Sequence, residues 1–172
     1  MPRAALNEII PHRLYQRGQF LTWPHEQKRR TLDRHGVTIV VNLWAKVDPD
    51  LARDDTGRVY LNWVCSPSEL PPDADATVAY LAALLSRRES PDEQARYTEP
   101  GTTFPVYRHC ALIHCEAGRG RSVWLTARIA QALQPERDRA AVAREVLDRV
   151  GSYDVKPVLA NDLGLGFERQ RT

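Results

Sequence analysis

Short apolar runs alternate with longer amphipathic segments along the chain. Residues 37–43, VTIVVNL, are β-branched and almost wholly apolar, which is typical of a buried strand. By contrast, Val78, Leu81, Ala82 and Leu85 share one face of a helix. These periodicities predict strands at 13–18 (an edge strand), 37–43, 58–64 and 109–114, and helices at 23–35, 73–88, 121–133, 136–150 and 156–170. Since strands alternate with helices, we predict an α/β fold whose central, mostly parallel sheet of about four or five strands is flanked by helices.

The polar segments between these elements are predicted to be loops. Residues 45–57 are rich in aspartate, and Asp73 stands where it can cap the following helix. Residues 89–108 are polar and interrupted by proline and glycine, which predicts an exposed insertion of about 20 residues. The length of 172 residues fits a single domain, so we predict one domain over 1–172.

The composition excludes several function classes. Lys and Arg total 24 against 22 Asp and Glu, and a net charge of +2 argues against binding nucleic acid through bulk electrostatics. Three cysteines do not make a secreted disulfide framework. The longest apolar stretch, 78–85, is far shorter than a membrane span, and the first residues lack the features of a signal peptide. We therefore predict a soluble, cytoplasmic protein with free thiols and no membrane partner.

The segment that carries chemistry follows the last predicted strand. That strand leads into Cys115, a turn containing Gly118 and Gly120 follows, and a helix is predicted to begin near Arg121. Backbone N–H groups of such a turn and the positive end of the helix form an anion site, and they favour the nucleophilic thiolate form of cysteine. Arg121 lies six residues after Cys115, from where its planar fork can bind two phosphate oxygens.

This segment resembles a known signature. His114-Cys115, five residues, then Arg121-Ser122 is similar to the H-C-x5-R-S/T motif of the cysteine-dependent protein tyrosine and dual-specificity phosphatases. The N-terminal stretch 14–18, LYQRG, and the strand at 60–63, YLNW, also lie in the family's order. The resemblance implies a dual-specificity-phosphatase-like fold and hydrolysis of phosphate monoesters through a phosphocysteine intermediate. It implies no metal and no organic cofactor.

The resemblance also implies a role for each residue of the motif. Cys115 would attack phosphorus, the Arg121 side chain would bind the phosphoryl group, and the Ser122 hydroxyl would hydrogen-bond the sulfur. His114 would tune Cys115 and brace the loop through hydrogen bonds. The oxyanion would be held by the backbone amides of the loop, namely those of Glu116, Ala117, Gly118, Arg119, Gly120 and Arg121.

The chain departs from the family at the general acid. The family's acid position falls on Pro67, which cannot donate a proton. Glu69 is the nearest carboxyl group and is our candidate for the general acid, with Asp73 the next suspect. Glu116, directly after the nucleophile, argues mildly against a highly anionic substrate. Trp124 is interpreted as a core residue, with the wall of the pocket as the alternative.

Several functions remain open at this stage. The favoured reading is a phosphatase acting on phosphotyrosine, phosphoserine or phosphothreonine in a protein, or on a small phosphorylated molecule. A phosphatase of RNA 5′ ends or nucleotides, a weakly catalytic phosphate-binding module, and sulfur transfer from Cys115 are the alternatives. A metal site would use His109, Cys110, His114 and Cys115, but alternation places these side chains on opposite faces of the strand, so we predict no metal.

Overall fold

The protein is described by a computed structural model over residues 6–53, 56–89 and 107–166. Its centre is a five-stranded sheet in the order β1-β2-β5-β3-β4. The antiparallel pair β1–β2 lies at one edge, and all the other pairings are parallel. The strands are β1 (Asn7–Ile10), β2 (Leu14–Arg17), β3 (Ile39–Asn42), β4 (Val59–Asn62) and β5 (Ala111–His114).

The sheet differs from the sequence prediction at its N-terminal edge. β1 was not predicted, because only one of its four residues, Ile9, is buried and its pattern does not alternate cleanly. Its presence moves β2 from the predicted edge position into the sheet, between β1 and β5. β2 is therefore in direct contact with the strand that ends at Cys115.

Six helices complete the described part of the chain. They are α1 (His25–Arg34), α2 (Pro49–Ala52), α3 (Ala74–Ser86), α4 (Arg121–Leu133), α5 (Arg139–Val150) and α6 (Pro157–Asp162). The bounds of α4 equal the predicted ones. The short helix α2 interrupts the predicted loop 45–57. The last predicted helix ends at Asp162, and its residues beyond 166 lie outside the described residues.

The two faces of the sheet carry separate cores. Helices α3 to α6 cover the face that contains Leu14, Val41 and Ile113. On the opposite face, Leu32 of α1 packs with Val40 and other buried side chains in a smaller core. This layering places α4 against β2 and β5. The turn of residues 116–120, called the cysteine turn below, leads from Cys115 into α4.

The two ends of the predicted insertion meet. Arg88 and Tyr107 form an antiparallel bridge, and the Arg108 N–H donates to the Arg87 carbonyl at 3.0 Å. The insertion itself, apart from residues 89, 107 and 108, lies outside the described residues. Within the described ranges, every helix is too short or too polar to cross a bilayer.

Candidate active site

Cys115 lies directly after β5, at the edge of the sheet where the parallel strands end. Its residue surface is 2% exposed. Residues 116–120 form the turn that leads into α4, so the N-terminus of that helix faces the cysteine. The carboxyl ends of parallel strands are the usual ligand-binding edge of α/β folds, and a helix N-terminus attracts anions. The structure thus places the predicted nucleophile at this edge.

Two polar groups lie within hydrogen-bond distance of the Cys115 sulfur. The Gly118 N–H donates to Sγ at 3.3 Å, and the Ser122 Oγ lies 3.2 Å from it. A third side chain, Gln16 of β2, donates from Nε2 to the Ser122 Oγ at 2.7 Å. No role for Gln16 was predicted from the sequence. The signal that could have revealed it was a polar amide in a predicted strand, directly after the apolar pair Leu14 and Tyr15.

The turn is shaped by two glycines that meet face to face. Gly118 has a φ of +72°, in the region that favours glycine. A Cβ at Gly118 would stand 2.3 Å from the Gly18 nitrogen, and a Cβ at Gly18 would stand 3.1 Å from the Ala117 carbonyl group. The Gln19 N–H also donates to the Glu116 carbonyl at 2.9 Å. The residues directly after β2 therefore pack against the turn.

The segment after α5 also packs against the turn. The Ser152 hydroxyl donates to the Arg119 carbonyl at 3.1 Å. A Cβ at Gly120 would lie 3.1 Å from the Asp154 carbonyl oxygen, so the segment after α5 also packs closely on the turn. The Arg119 residue as a whole is exposed. Its charge can therefore meet a ligand at the mouth of the site.

The guanidinium of Arg121 is held by two backbone carbonyl groups that follow β3 and β4. Its Nη1 donates to the Leu43 carbonyl at 3.0 Å and to the Cys65 carbonyl at 3.1 Å. These bonds use both hydrogens of Nη1 and leave the edge formed by Nε and Nη2 for a ligand. The Glu116 carboxylate lies 3.9 Å from Nη2, and its side chain is 58% exposed. A bound oxyanion would have to share the guanidinium with this carboxylate or displace it.

His114 is buried on the opposite face of β5. Burial, together with the nearby charge of Arg17, lowers the pKa of its imidazole to about 4. The ring packs beside Phe20 and Tyr60, with centroid distances of 5.1 and 6.5 Å. Neither ring nitrogen has a hydrogen-bond partner among the described residues. The backbone of Cys115 lies close enough to favour the charged ring, and the bracing role of His114 stays a prediction.

The acid candidates lie on the segment before α3. Pro67 and Glu69 are exposed, and Glu69 has no hydrogen bond or ion pair with another described residue. Asp73 occupies the predicted N-cap position of α3, but its side chain makes no capping bond. Its Oδ2 accepts from the Trp63 indole N–H at 3.2 Å instead.

The pKa of the Cys65 thiol responds to the charges of both Asp73 and Arg121. Burial raises the pKa of the Cys65 thiol to about 12; the charge of Asp73 raises this pKa too, and that of Arg121 opposes it. Asp73 and the phosphate-binding candidate Arg121 therefore lie within electrostatic range of the same thiol. No comparable observation connects Glu69 with Arg121.

Trp124 and the cysteines are buried in the protein. Trp124 is fully buried, its ring lies 6.2 Å from that of Trp63, and its indole N–H donates to Asp162 at 2.8 Å, so it is a core residue. All three cysteines are free and buried. Among the described residues, no three His, Cys, Asp or Glu side chains come together as metal ligands.

Comparison with solved structures identifies the fold. Human DUSP28 matches with a TM-score of 0.60 and 18% identity over 91% of each chain. P. aeruginosa TpbA in complex with pTyr matches over 87% of this chain and 77% of its own, with a TM-score of 0.55 and 17% identity. PTPMT1 in complex with PI(5)P matches over 90% and 89%, with a TM-score of 0.61 and 14% identity. No family model and no curated protein matches the sequence. The structural matches confirm the predicted fold: the chain has the fold of the dual-specificity phosphatases.

Proposed function

We propose that the chain is a cysteine-dependent phosphatase that hydrolyses phosphate monoesters through a phosphocysteine intermediate. One observation carries this proposal: the Cys115 sulfur receives the Gly118 N–H and lies beside the Ser122 hydroxyl at the N-terminus of α4. Donors aimed at sulfur stabilise the thiolate, which is the nucleophilic form. The fold shared with the dual-specificity phosphatases supports the same reaction.

The reaction proceeds in two displacements. In the first, the Cys115 thiolate attacks phosphorus, an S–P bond forms, and the bond from phosphorus to the ester oxygen breaks. The backbone amides of residues 116–121 and the Nε and Nη2 groups of Arg121 bind the phosphoryl oxygens, whose charge is largest in the transition state. In the second, water attacks phosphorus and gives one proton to the carboxylate that protonated the leaving group. The S–P bond breaks, and its electron pair returns to sulfur, where Ser122 stabilises it.

The proposed substrates are phosphotyrosine, phosphoserine or phosphothreonine in a protein, or a small phosphorylated molecule. TpbA was solved with pTyr and PTPMT1 with PI(5)P, and both ligands present a phosphate monoester. Glu116 places a negative charge 3.9 Å from Arg121, which disfavours ligands with many phosphates. We therefore favour a substrate with one phosphate.

A second candidate function follows from Pro67. An alkyl leaving group needs a proton, whereas an activated aryl oxygen or a phosphoanhydride hardly needs one. With proline at the family's acid position, a phosphatase of nucleotides, RNA 5′ ends or other small molecules with good leaving groups is the second candidate. For the main proposal we retain Glu69 as the proton donor, and Asp73 is the competing donor because of its position beside Trp63 and Cys65.

The test is hydrolysis of p-nitrophenyl phosphate by the wild-type chain and by the Cys115→Ser variant. We expect turnover that vanadate inhibits and that Cys115→Ser abolishes. Acid quenching of the wild type with a ³²P-labelled substrate should trap label on Cys115. Cys65→Ser is the matched control, because it also removes a buried thiol but should keep turnover. Undiminished hydrolysis by Cys115→Ser would refute the proposal. Tight phosphate binding without turnover would indicate the binding module, and a Cys115 persulfide formed with thiosulfate would indicate sulfur transfer.

A further inference from the structure

Gln16 is a buried amide among apolar side chains. It is 0% exposed and lies on β2, on the face of the sheet that α4 covers. Burying an amide costs free energy unless its polar atoms find partners. The partners of its nitrogen lie 102 and 106 residues further along the chain, in the cysteine turn and at the start of α4.

The hydrogen bonds of Gln16 fix the orientation of its amide. Nε2 donates to the Gly118 carbonyl at 2.8 Å and to the Ser122 Oγ at 2.7 Å, which uses both of its hydrogens. Oε1 accepts from Asn7 Nδ2 at 2.9 Å. Rotating the amide by 180° would place Oε1 against the Gly118 carbonyl, and two acceptors would face each other. The nitrogen must therefore face the turn.

This orientation determines the direction of the Ser122 hydroxyl. Because Ser122 Oγ accepts a hydrogen from Gln16, its own hydrogen must point to another acceptor. The Cys115 Sγ lies 3.2 Å away. Gln16 also holds the carbonyl of Gly118, the residue whose N–H is the second donor to Sγ at 3.3 Å. Both donors to the sulfur therefore belong to residues that Gln16 holds in place.

We infer that Gln16 is a positioning residue that directs the Ser122 hydroxyl and the Gly118 N–H at the Cys115 sulfur. This inference rests on the proposed function. In the first displacement the two donors stabilise the attacking thiolate. In the second they stabilise the sulfur as it takes back the electron pair of the S–P bond while water adds to phosphorus. Loss of Gln16 therefore makes the thiolate of Cys115 less stable relative to the thiol, and it slows the breakdown of phosphocysteine.

The first experiment measures the sulfur without any substrate. The rate of alkylation of Cys115 by iodoacetamide is followed by mass spectrometry between pH 5 and 9. Gln16→Met keeps the length of the side chain and removes the donors. We expect alkylation about tenfold slower at pH 6, which corresponds to about 1.4 kcal/mol, because the thiolate loses the support of a hydrogen bond to a charged group. Alkylation at pH 9, where ordinary thiols are largely ionised, should be nearly unchanged.

Gln131→Met is the matched control. Gln131 is a second buried glutamine, on α4, and its Nε2 donates to the Arg139 and Leu163 carbonyls at 2.8 and 3.0 Å, away from the turn. It should lower stability in a similar way and leave the alkylation profile of Cys115 unchanged. If Gln16→Met and Gln131→Met have the same alkylation profile, the inference is overturned. Should Gln16→Met fail to fold, Gln16→Glu preserves the shape and replaces the donors by acceptors. It should slow alkylation further, and a wild-type profile in Gln16→Glu also overturns the inference.

A second readout separates this inference from the proposed function. With p-nitrophenyl phosphate, Gln16→Met should show a larger pre-steady-state burst of nitrophenol than the wild type, followed by slower turnover. In a Ser122→Ala background, Gln16→Met should lose most of its effect, because its principal contact is already absent. If the wild type hydrolyses no monoester but Gln16→Met still alters alkylation, the proposed function fails and the positioning role stands. If turnover is robust and neither burst nor alkylation changes, only the positioning role fails.

Discussion

The guanidinium of Arg121 performs two tasks with different atoms. Nη1 donates to the carbonyls of Leu43 and Cys65, and Nη2 lies 3.9 Å from the carboxylate of Glu116 in the turn. A rigid fork is required for this division, since a lysine ammonium is a single point charge on a flexible stem. The strand ends around the cysteine thus orient the cation before any ligand binds.

Arg121→Lys should therefore lower kcat/KM for p-nitrophenyl phosphate by about 10²–10³-fold, the loss typical of removing a donor to a transition-state charge. The charge of the side chain is retained, so long-range attraction of the anion is not the cause of the loss. Arg119→Lys is the control, because Arg119 is exposed and its side chain has no described bond to the turn. Equal kinetics of the two variants would show that Arg121 does not act as a fork.

The proton donor can be identified by leaving group. If Glu69 is the donor, Glu69→Gln should slow hydrolysis of an alkyl phosphate by about 10²–10⁴-fold and leave p-nitrophenyl phosphate nearly unaffected. Asp73→Asn is the matched variant, which removes a carboxylate from the same segment. A selective loss in Asp73→Asn alone would transfer the role to Asp73. If neither variant is selective and rates rise steeply with leaving-group acidity, no acid operates.

At the scale of elements, the contact between β2 and the cysteine turn is the most restrictive in the site. Gly118→Ala would place a Cβ 2.3 Å from the Gly18 nitrogen, and both groups are backbone. Gly36→Ala is the matched control, since Gly36 has a φ of +63° and open space around it. The control should lose roughly 1–2 kcal/mol of unfolding free energy from left-handed strain. Gly118→Ala should lose a further 1–3 kcal/mol or so from overpacking, measured by urea denaturation. Equal losses would show that the clash is relieved by a small shift.

The elements were predictable where the pattern is local. α4 was predicted with its bounds because a glycine-rich turn precedes it, Pro135 follows it, and its apolar positions repeat at helical spacing. β1 was not predicted, since a four-residue strand with one buried residue carries almost no periodic signal. Its strand status comes from pairing with β2, and the sequence does not show that pairing.

The candidate site was also predictable where its contacts are local in sequence. The prediction missed the contacts between residues that are distant in sequence. Cys115 and Ser122 are seven residues apart in one strand–turn–helix, and the resemblance to the phosphatase signature implied their contact. Gln16 reaches Ser122 across 106 residues, and no periodicity encodes that approach. Asp73 had the position of a helix cap, but the Trp63 indole took its carboxylate instead. Local rules give the candidate chemistry, and tertiary packing decides the partners.

At the scale of the whole molecule, His114 couples the stability of the fold to pH. The folded pKa of about 4 lies below the ordinary value of 6.5 because burial disfavours the charged ring. The unfolded chain therefore binds the proton first as the pH falls. The contribution to stability is complete above about pH 6.5 and is lost between pH 6.5 and about 4. A shift of this size corresponds to about 3 kcal/mol in total, and Phe20 and Tyr60 would then surround a charged ring.

The prediction is tested with urea denaturation of the wild type and of His114→Phe between pH 4 and 8. Phenylalanine keeps an aromatic ring in the space beside Phe20 and cannot bind a proton. The unfolding free energy of the wild type should fall more steeply below pH 6.5 than that of His114→Phe, with the difference reaching about 3 kcal/mol near pH 4. Carboxylates that titrate in the same range affect both proteins equally and cancel in the difference. His12→Phe, an exposed histidine, is the control and should parallel the wild type. Parallel curves for the wild type and His114→Phe would show that the imidazole is solvated or paired on folding, and the buried position of His114 would then no longer account for acid sensitivity.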